Sequence, residues 1–294
     1  DKILQKYAEP SSIAVSPDNK FAFVTLRKNN GIMVINLGNA DINPWTVGIA
    51  CTGWKNMLLK KNAFDASSKD NGAYLKPYPV LAMYQPEGIL VQKTDKGDYA
   101  ILTANAGMAS MSRMKQVKDV KLWDKAFTIG EWEPKSLQSP SMMGDLWIFQ
   151  DLGKLGDTYE KLFTAGGRSV SLWQMSKSTL DDPTMGKFEQ LWDSANIIEK
   201  ELKADQSSSF NGVWKTDDNS PITGPEPSGL AMGDVFGTPV LFVSLKGASA
   251  IAMFSLEDPH NPAFMRLLSF VGKNMDGEIL NGDVGTEDLE FVPA

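Results

Sequence analysis

The stretch Pro225–Pro259, PEPSGLAMGDVFGTPVLFVSLKGASAIAMFSLEDP, reads as three short strands joined by tight turns. Leu230–Met232 opens a first strand after a Pro-Ser-Gly lead-in. Pro239–Leu245 is a β-branched and aromatic run, and Ala250–Leu256 alternates at the two-residue period of a strand with one buried face. Gly237-Thr238 and Lys246-Gly247 supply the turns. The same grammar recurs in PSSIAVSPDNKFAFVTLRKNNGIMVINLG, Pro10–Gly38, with strands at Ile13–Ser16, Phe21–Leu26 and Ile32–Leu37 and turns at Asp18-Asn19 and Asn29-Asn30-Gly31. After the turn at Asn43-Pro44-Trp45, Thr46–Cys51 reads as the outermost strand of that unit. Two partial copies follow. Pro86-Glu87-Gly88-Ile89 leads into Tyr99–Ala104, and Glu160–Thr164 leads through Ala165-Gly166-Gly167-Arg168 into Ser169–Gln174.

Units of about 40 to 50 residues cannot cover their own apolar face, so they stack, most economically in a ring. The expected fold is all-β: a β-propeller of four-stranded antiparallel blades, six or seven in the full protein, with long inter-strand insertions carrying short helices. The segment VSPDNKFAFVTL also resembles the repeat of lactonase-like propellers, in which such a turn joins the inner two strands and the first strand of each blade lines the central channel. Residues 1–294 read as a single propeller domain, incomplete at both ends. Ile3–Tyr7 reads as the last strand of a preceding blade and Leu289–Val292 as the first strand of another.

Composition narrows the function classes. The 294 residues carry a net charge of −7 without a Lys/Arg cluster, which argues against nucleic acid and anionic membrane surfaces as partners. No apolar run approaches the roughly 18 to 20 residues of a transmembrane helix. Cys51 is the one cysteine and His260 the one histidine, so disulfide frameworks and zinc clusters of Cys and His within the chain are excluded. His260 lies in Glu257-Asp258-Pro259-His260-Asn261-Pro262, a rigid exposed turn.

Three insertions interrupt the strand pattern, at about 54–80, 108–140 and 178–222. The first contains NAFDASSKDNG, where Asp65, Ser67, Asp70 and Asn71 place oxygen donors at short spacing before a glycine. Such a loop reads either as a calcium site or as ordinary turn chemistry, and it lacks the bidentate Glu of an EF-hand. In the second, Lys115–Trp123 has helix-like apolar spacing and is expected to form a short helix. Trp123, Phe127 and Trp132 read as a partner or sugar-stacking surface, or as anchors of the insertion. In the third, Ile197–Lys203 reads as a short helix.

Aligning the units by their first strands superposes Pro10-Ser11-Ser12-Ile13, Pro86-Glu87-Gly88-Ile89, Pro227-Ser228-Gly229-Leu230 and Thr286-Glu287-Asp288-Leu289. These should face one mouth of the channel, where Glu87 and Glu287, with Glu9 and Glu226 one step earlier, form either an acidic ring for a cation or solvated acids of strand-leading turns. Arg27, Arg168 and Lys246 fall at equivalent second-to-third-strand corners and are expected to pair with neighbouring blades at the surface.

The segments NAFDASSKDNG, PVLAMYQPEGI (79–89), LTANAG (102–107), LFTAGGRSVSLW (162–173), LWDSAN (191–196), GPEPSGLAMGDV (224–235) and GDVGTEDLEFV (282–292) occur in an order that resembles the choice-of-anchor I family. That family comprises secreted or surface-anchored β-propellers, some bearing a phosphatase label. The resemblance implies an extracellular or cell-surface location and either a recognition role or a metal-dependent phosphoesterase. Against the enzyme, Asn105-Ala106-Gly107-Met108-Ala109-Ser110-Met111 replaces a stretch that carries three carboxylates in the family. Thr216-Asp217-Asp218-Asn219-Ser220-Pro221 only partly keeps a second acidic stretch, and Ser228 stands where the family has Glu. Metal-assisted phosphoryl chemistry needs converging carboxylates. The expectation is therefore a non-catalytic recognition or scaffold propeller whose Asp65–Asn71 loop is either a calcium site or plain turn chemistry, the alternative being a calcium-dependent phosphoesterase of phytase-like or alkaline-phosphatase-like type. The expected partner is a protein or an extracellular-matrix or surface component, or a second copy meeting it at open blade edges.

Overall fold

The structure, a computed structural model, describes residues 8–38, 43–107, 111–130, 132–176, 188–205, 209–269, 271–273 and 279–293. The strand expected at Ile3–Tyr7 and the positions Met108, Ala109 and Ser110 lie outside the described residues.

Among the described residues, three four-stranded antiparallel meanders form blades of a β-propeller. The first runs Ser12–Val15, Phe21–Leu26, Gly31–Asn36, Trp45–Cys51, in that order across the sheet. Its tight turns are those the sequence specifies: Asn19 (φ 57°) and Asn30 (φ 56°) take the left-handed conformation that asparagine tolerates. The second blade runs Ile89–Lys93, Tyr99–Ala104, Val170–Met175, Phe188–Asp193. The third runs Pro227–Val235, Thr238–Leu245, Ala250–Ser255, Ala263–Ser269. Its first hairpin turns on Phe236 (φ 53°) and Gly237 (φ 86°), both left-handed as a type I′ turn requires, and Asp234 Oδ1 accepts the Gly237 N–H at 2.7 Å.

Blades pack face to face. Phe21, Phe23, Ile32 and Val34 of the first meet Ile89, Tyr99, Ile101 and Trp173 of the second. Leu102, Val170 and Leu172 of the second meet Leu241, Val243 and Phe254 of the third. Each such buried side chain contributes about 1.5–3 kcal/mol of transfer free energy, so these interfaces dominate the cohesion of the array. The first strands lie side by side, Ser12–Val15 against Ile89–Lys93 and that strand against Pro227–Val235.

Two expectations are corrected. Ser169–Gln174 is not part of a separate repeat. Val170–Met175 is the third strand of the second blade, with Ser171 opposite Thr103, while Phe163–Ala165 belongs to a different sheet. Residues 105–169 are thus one insertion between strands two and three, and with Trp54–Asn56 and Leu81–Met83 it builds a five-stranded side sheet. Its own core gathers Phe64, Tyr78, Val117, Phe127, Leu146 and Ile148, among others.

Lys115–Trp123 is not a helix either. It forms a strand (Met114–Gln116), a 3-10 turn (Val117–Asp119) and a two-residue strand (Lys121–Leu122). The amides of Val117 and Lys118 donate to the carbonyls of Leu146 and Gly144, so tertiary partners take the bonds a helix needs. Phe127 is buried and Trp132 packs on Tyr78 at 5.6 Å, which makes both anchors of the insertion, whereas Trp123 is exposed. The helix expected near Ile197 is present as Ile197–Ala204. Leu289–Val292, expected as a first strand, forms no strand among the described residues, and Phe291 stacks on Phe242 at 5.9 Å. No helix among the described residues is long and apolar enough to cross a membrane.

Candidate functional site

The superposed lead-ins do face one cavity. Ser12, Glu87, Ser228, Glu287 and Asp288 are among the residues lining a space of about 490 Å³. The chemistry of its rim is a repeated junction. At the end of the first blade's second strand, Thr25 Oγ1 donates to the Glu87 carbonyl at 2.6 Å and Arg27 Nη1 meets the Glu87 carboxylate at 2.6 Å. In the third blade Ser244 Oγ donates to the Glu287 carbonyl and Lys246 Nζ pairs with the Glu287 carboxylate. Each carboxylate thereby meets the basic corner of the preceding blade, as expected for Arg27 and Lys246.

Burial pushes the Glu87 carboxyl up, against the pull of Arg27 and Lys246. The Lys246 ammonium holds Glu287 down. Burial also raises Glu226, whose side chain accepts a long 3.4 Å bond from Thr223 Oγ1. Glu9 lies apart from these and pairs with Lys28 at 2.5 Å.

A second constellation sits where the insertions meet. Phe64 and Lys76 exchange backbone hydrogen bonds and close the loop that carries Asp65. Asp65 is fully buried; Oδ1 accepts the Ser67 N–H at 3.1 Å and Oδ2 the Tyr74 N–H at 2.6 Å. Asp70 comes from the far side of the same loop. Both of its carboxylate oxygens are shielded and make no hydrogen bond; its own N–H and that of Gly72 lie near enough to favour its charge without reaching bonding geometry. Asp217 arrives from the third insertion, in a left-handed turn (φ 77°), with Oδ1 accepting from Ser220 Oγ at 2.5 Å. Oxygens of Asp65, Asp70 and Asp217 all lie within 4.8 Å of one another.

Such crowding of like charge away from water is costly for the ionised forms. Burial, then the charge of Asp217, pushes the Asp65 carboxyl up to about 8. Burial raises Asp217 to about 7, with Asp70 and Glu199 adding to it, and it raises Asp70 as well. Tyr78 is raised by burial and by the same aspartates. Three hard oxygen donors in one place can share protons or hold a hard cation.

Arg168 ties the walls of this constellation together. It is not the surface corner the sequence suggests but a fully buried side chain. Nη1 donates to the Asp65 carbonyl at 2.9 Å and to Glu199 Oε1 at 3.0 Å, and Nη2 donates to the Ser220 carbonyl at 2.6 Å. Its guanidinium lies over the Phe64 ring at 4.6 Å. Gly224, at φ 65°, packs directly on it and leaves no room for a Cβ. Glu199, on the helix Ile197–Ala204, also accepts from Asn211 Nδ2 at 2.7 Å, and that nitrogen donates to Ser220 Oγ at 3.0 Å.

Of the loop donors read from sequence, Asp65 and Asp70 converge. Ser67 is committed elsewhere, donating to the Pro140 carbonyl at 2.6 Å and accepting from the Lys69 N–H, and Asn71 is an exposed turn residue at φ 63°. Glu87, Glu226 and Glu287 gather at the channel mouth, away from this group. Asp217 was legible only as part of an acidic stretch; its place beside Asp65 follows from two insertions meeting in space. His260 is exposed, as expected.

Four-stranded blades whose first strands line a common cavity define a β-propeller. Residues 2–259 match the choice-of-anchor I domain, and the chain belongs to that family. It is similar to the mesenchyme-specific cell surface glycoprotein of Strongylocentrotus purpuratus, with 28% identity over 238 residues, 69% of this chain and 29% of that protein, so the chain spans under a third of the relative's length. Among solved structures, a protein from Lactobacillus plantarum aligns over 95% of this chain and 72% of its own at 12% identity and a TM-score of 0.30. A hypothetical selenium-binding protein from Sulfolobus tokodaii aligns over 90% and 63% at 12% identity and a TM-score of 0.23.

Proposed function

We propose that this chain is a non-catalytic recognition or scaffold propeller of an extracellular or cell-surface protein, and that it binds calcium as a structural ion. The observation that carries the non-catalytic reading is the state of the channel-mouth acids. Glu87 and Glu287 are each engaged by a cation of the preceding blade, so they serve blade cohesion rather than a converging set of free carboxylates for phosphoryl transfer. Membership in an anchored family and the surface designation of the sea-urchin relative support the location. The partner is a protein or an extracellular-matrix or surface component, or a second copy meeting this one at open blade edges.

The rival reading, a calcium-dependent phosphoesterase, is favoured by the convergence of Asp65, Asp70 and Asp217. The deciding assay is hydrolysis of a generic phosphomonoester with calcium and with manganese. Turnover above about 1 per second, the low end of ordinary enzyme rates, overturns the non-catalytic reading. Protease treatment of intact cells that make the protein tests location: it is digested if surface-borne and protected if not.

A further inference from the structure

We infer that Asp65, Asp70 and Asp217 are the protein ligands of one calcium-type cation, which acts as a clasp between the loop at 64–76 and the loop at 209–224. This rests on the calcium part of the proposed function and gives it a location.

Two observations meet here. The three carboxylates bring oxygens within 4.8 Å of one another from segments far apart in sequence. Independently, both oxygens of Asp70, one of which lies in that group, are shielded from solvent and accept no hydrogen bond of normal geometry. Buried acceptors without partners are rare in native proteins, and a carboxylate set beside two others calls for a proton or a positive ligand. Asn211, fully buried, also has its Oδ1 without a donor, while its nitrogen bonds the Ser220 hydroxyl that in turn donates to Asp217.

The donor set selects the ion. All three ligands are carboxylate oxygens, with Cys51 exposed on an outer strand and His260 exposed in a turn, so no soft or nitrogen ligand competes. Irregular loop backbone, which can add carbonyls and admit water, suits the six to eight oxygens and adaptable geometry of calcium better than the strict octahedron of magnesium. Arg168 is the positioning residue. One guanidinium nitrogen holds the carbonyl of Asp65 and the other that of Ser220, which fixes the two walls at a set separation before any ion arrives.

The test is calorimetric titration of chelator-treated protein with calcium, for the native sequence, Asp217→Asn and Asp70→Asn. Losing a direct ligand should weaken binding at least about tenfold, since even second-shell losses reach that size. Thermal unfolding of the same proteins separates a lost ligand from a damaged fold. Asp217→Asn keeps the acceptor for Ser220 and removes one like charge. It should therefore unfold no lower than the native protein in chelator, yet clearly lower in saturating calcium. Limited proteolysis adds a local readout: calcium should protect residues 209–224 in the native protein and not in Asp217→Asn. Calcium binding unchanged by both substitutions overturns the clasp while calcium binding itself survives at another place, such as Glu87, Glu226 and Glu287. No calcium heat with the native protein overturns both.

Discussion

Replacing Arg168 by methionine keeps much of the side chain's volume but removes its charge and its fork of donors. The Arg168–Glu199 pair has side chains only 1% and 2% exposed and is 3.0 Å apart, so the substitution strands a carboxylate where water cannot reach it. Breaking a buried pair from one side costs about 3–5 kcal/mol. The carbonyls of Asp65 and Ser220 lose their donors in the same step, each worth about 1–3 kcal/mol if left unpaired, although local relaxation makes these contributions overlap. A loss of about 4–5 kcal/mol is a large part of a typical stability of roughly 5–15 kcal/mol, and it should lower the melting temperature by about 10 °C or more. Measurements belong in chelator, so that no ion contributes. The double variant Arg168→Met/Glu199→Gln removes the stranded charge and should recover about 2 kcal/mol or more relative to the sum of the single changes. A cost below about 1 kcal/mol for Arg168→Met, or strict additivity in the cycle, refutes the view that this pair holds the insertions together.

Other outcomes are expected elsewhere. At Gly88 a Cβ would run into the Ser228 carbonyl of the next blade's lead-in, so Gly88→Ala should cost about 1–3 kcal/mol in thermal unfolding, and a neutral result contradicts the close approach. Burial acts to raise Asp18, but hydrogen bonds from Lys93, Ser16, Tyr99 and the Lys20 amide outweigh it and hold the carboxyl well below the usual range. Its contribution is therefore present above the unfolded value of about 3.9 and is lost as pH falls through the lower folded value; Asp18→Asn should lack that part of the acid-unfolding limb, and identical acid limbs would count against the assignment. Thr25→Val should destabilise the first junction by about 1 kcal/mol, and a stabilised variant would show that the Glu87 carbonyl has another donor.

Blades were legible where their strands are contiguous. Phe21–Leu26 and Thr238–Leu245 are flanked by turn residues whose left-handed angles the chain supplies, so hairpin and register follow from a few neighbouring positions. The second blade was only half legible, because Tyr99–Ala104 and Val170–Met175 pair across the whole 105–169 insertion and no local signal states that they are partners. The apolar spacing at Val117, Val120 and Trp123 suggested a helix because periodicity records only which residues avoid water, not which carbonyls accept their amides. Asp65 and Asp70 were found from spacing within one loop. Asp217 and the Arg168–Glu199 pair were not, since convergence of separate insertions is a property of packing.

The junction formed by Thr25, Arg27 and Glu87, and repeated by Ser244, Lys246 and Glu287, gives the array the mechanics of a fan fastened at its pivot. Directional links between neighbours sit on the inner strands and their turns, with Asp18 held by Lys93 and Tyr99 beside these junctions, while the outer strands Trp45–Cys51 and Ala263–Ser269 present mostly half-exposed or exposed side chains. Sequence drift at the rim can then proceed without disturbing the order of blades. A hydroxyl and a base two positions apart form a short address that the succeeding lead-in must match, and exchanging Arg27 with Glu87 as a reversed pair should preserve that address where either change alone erases it.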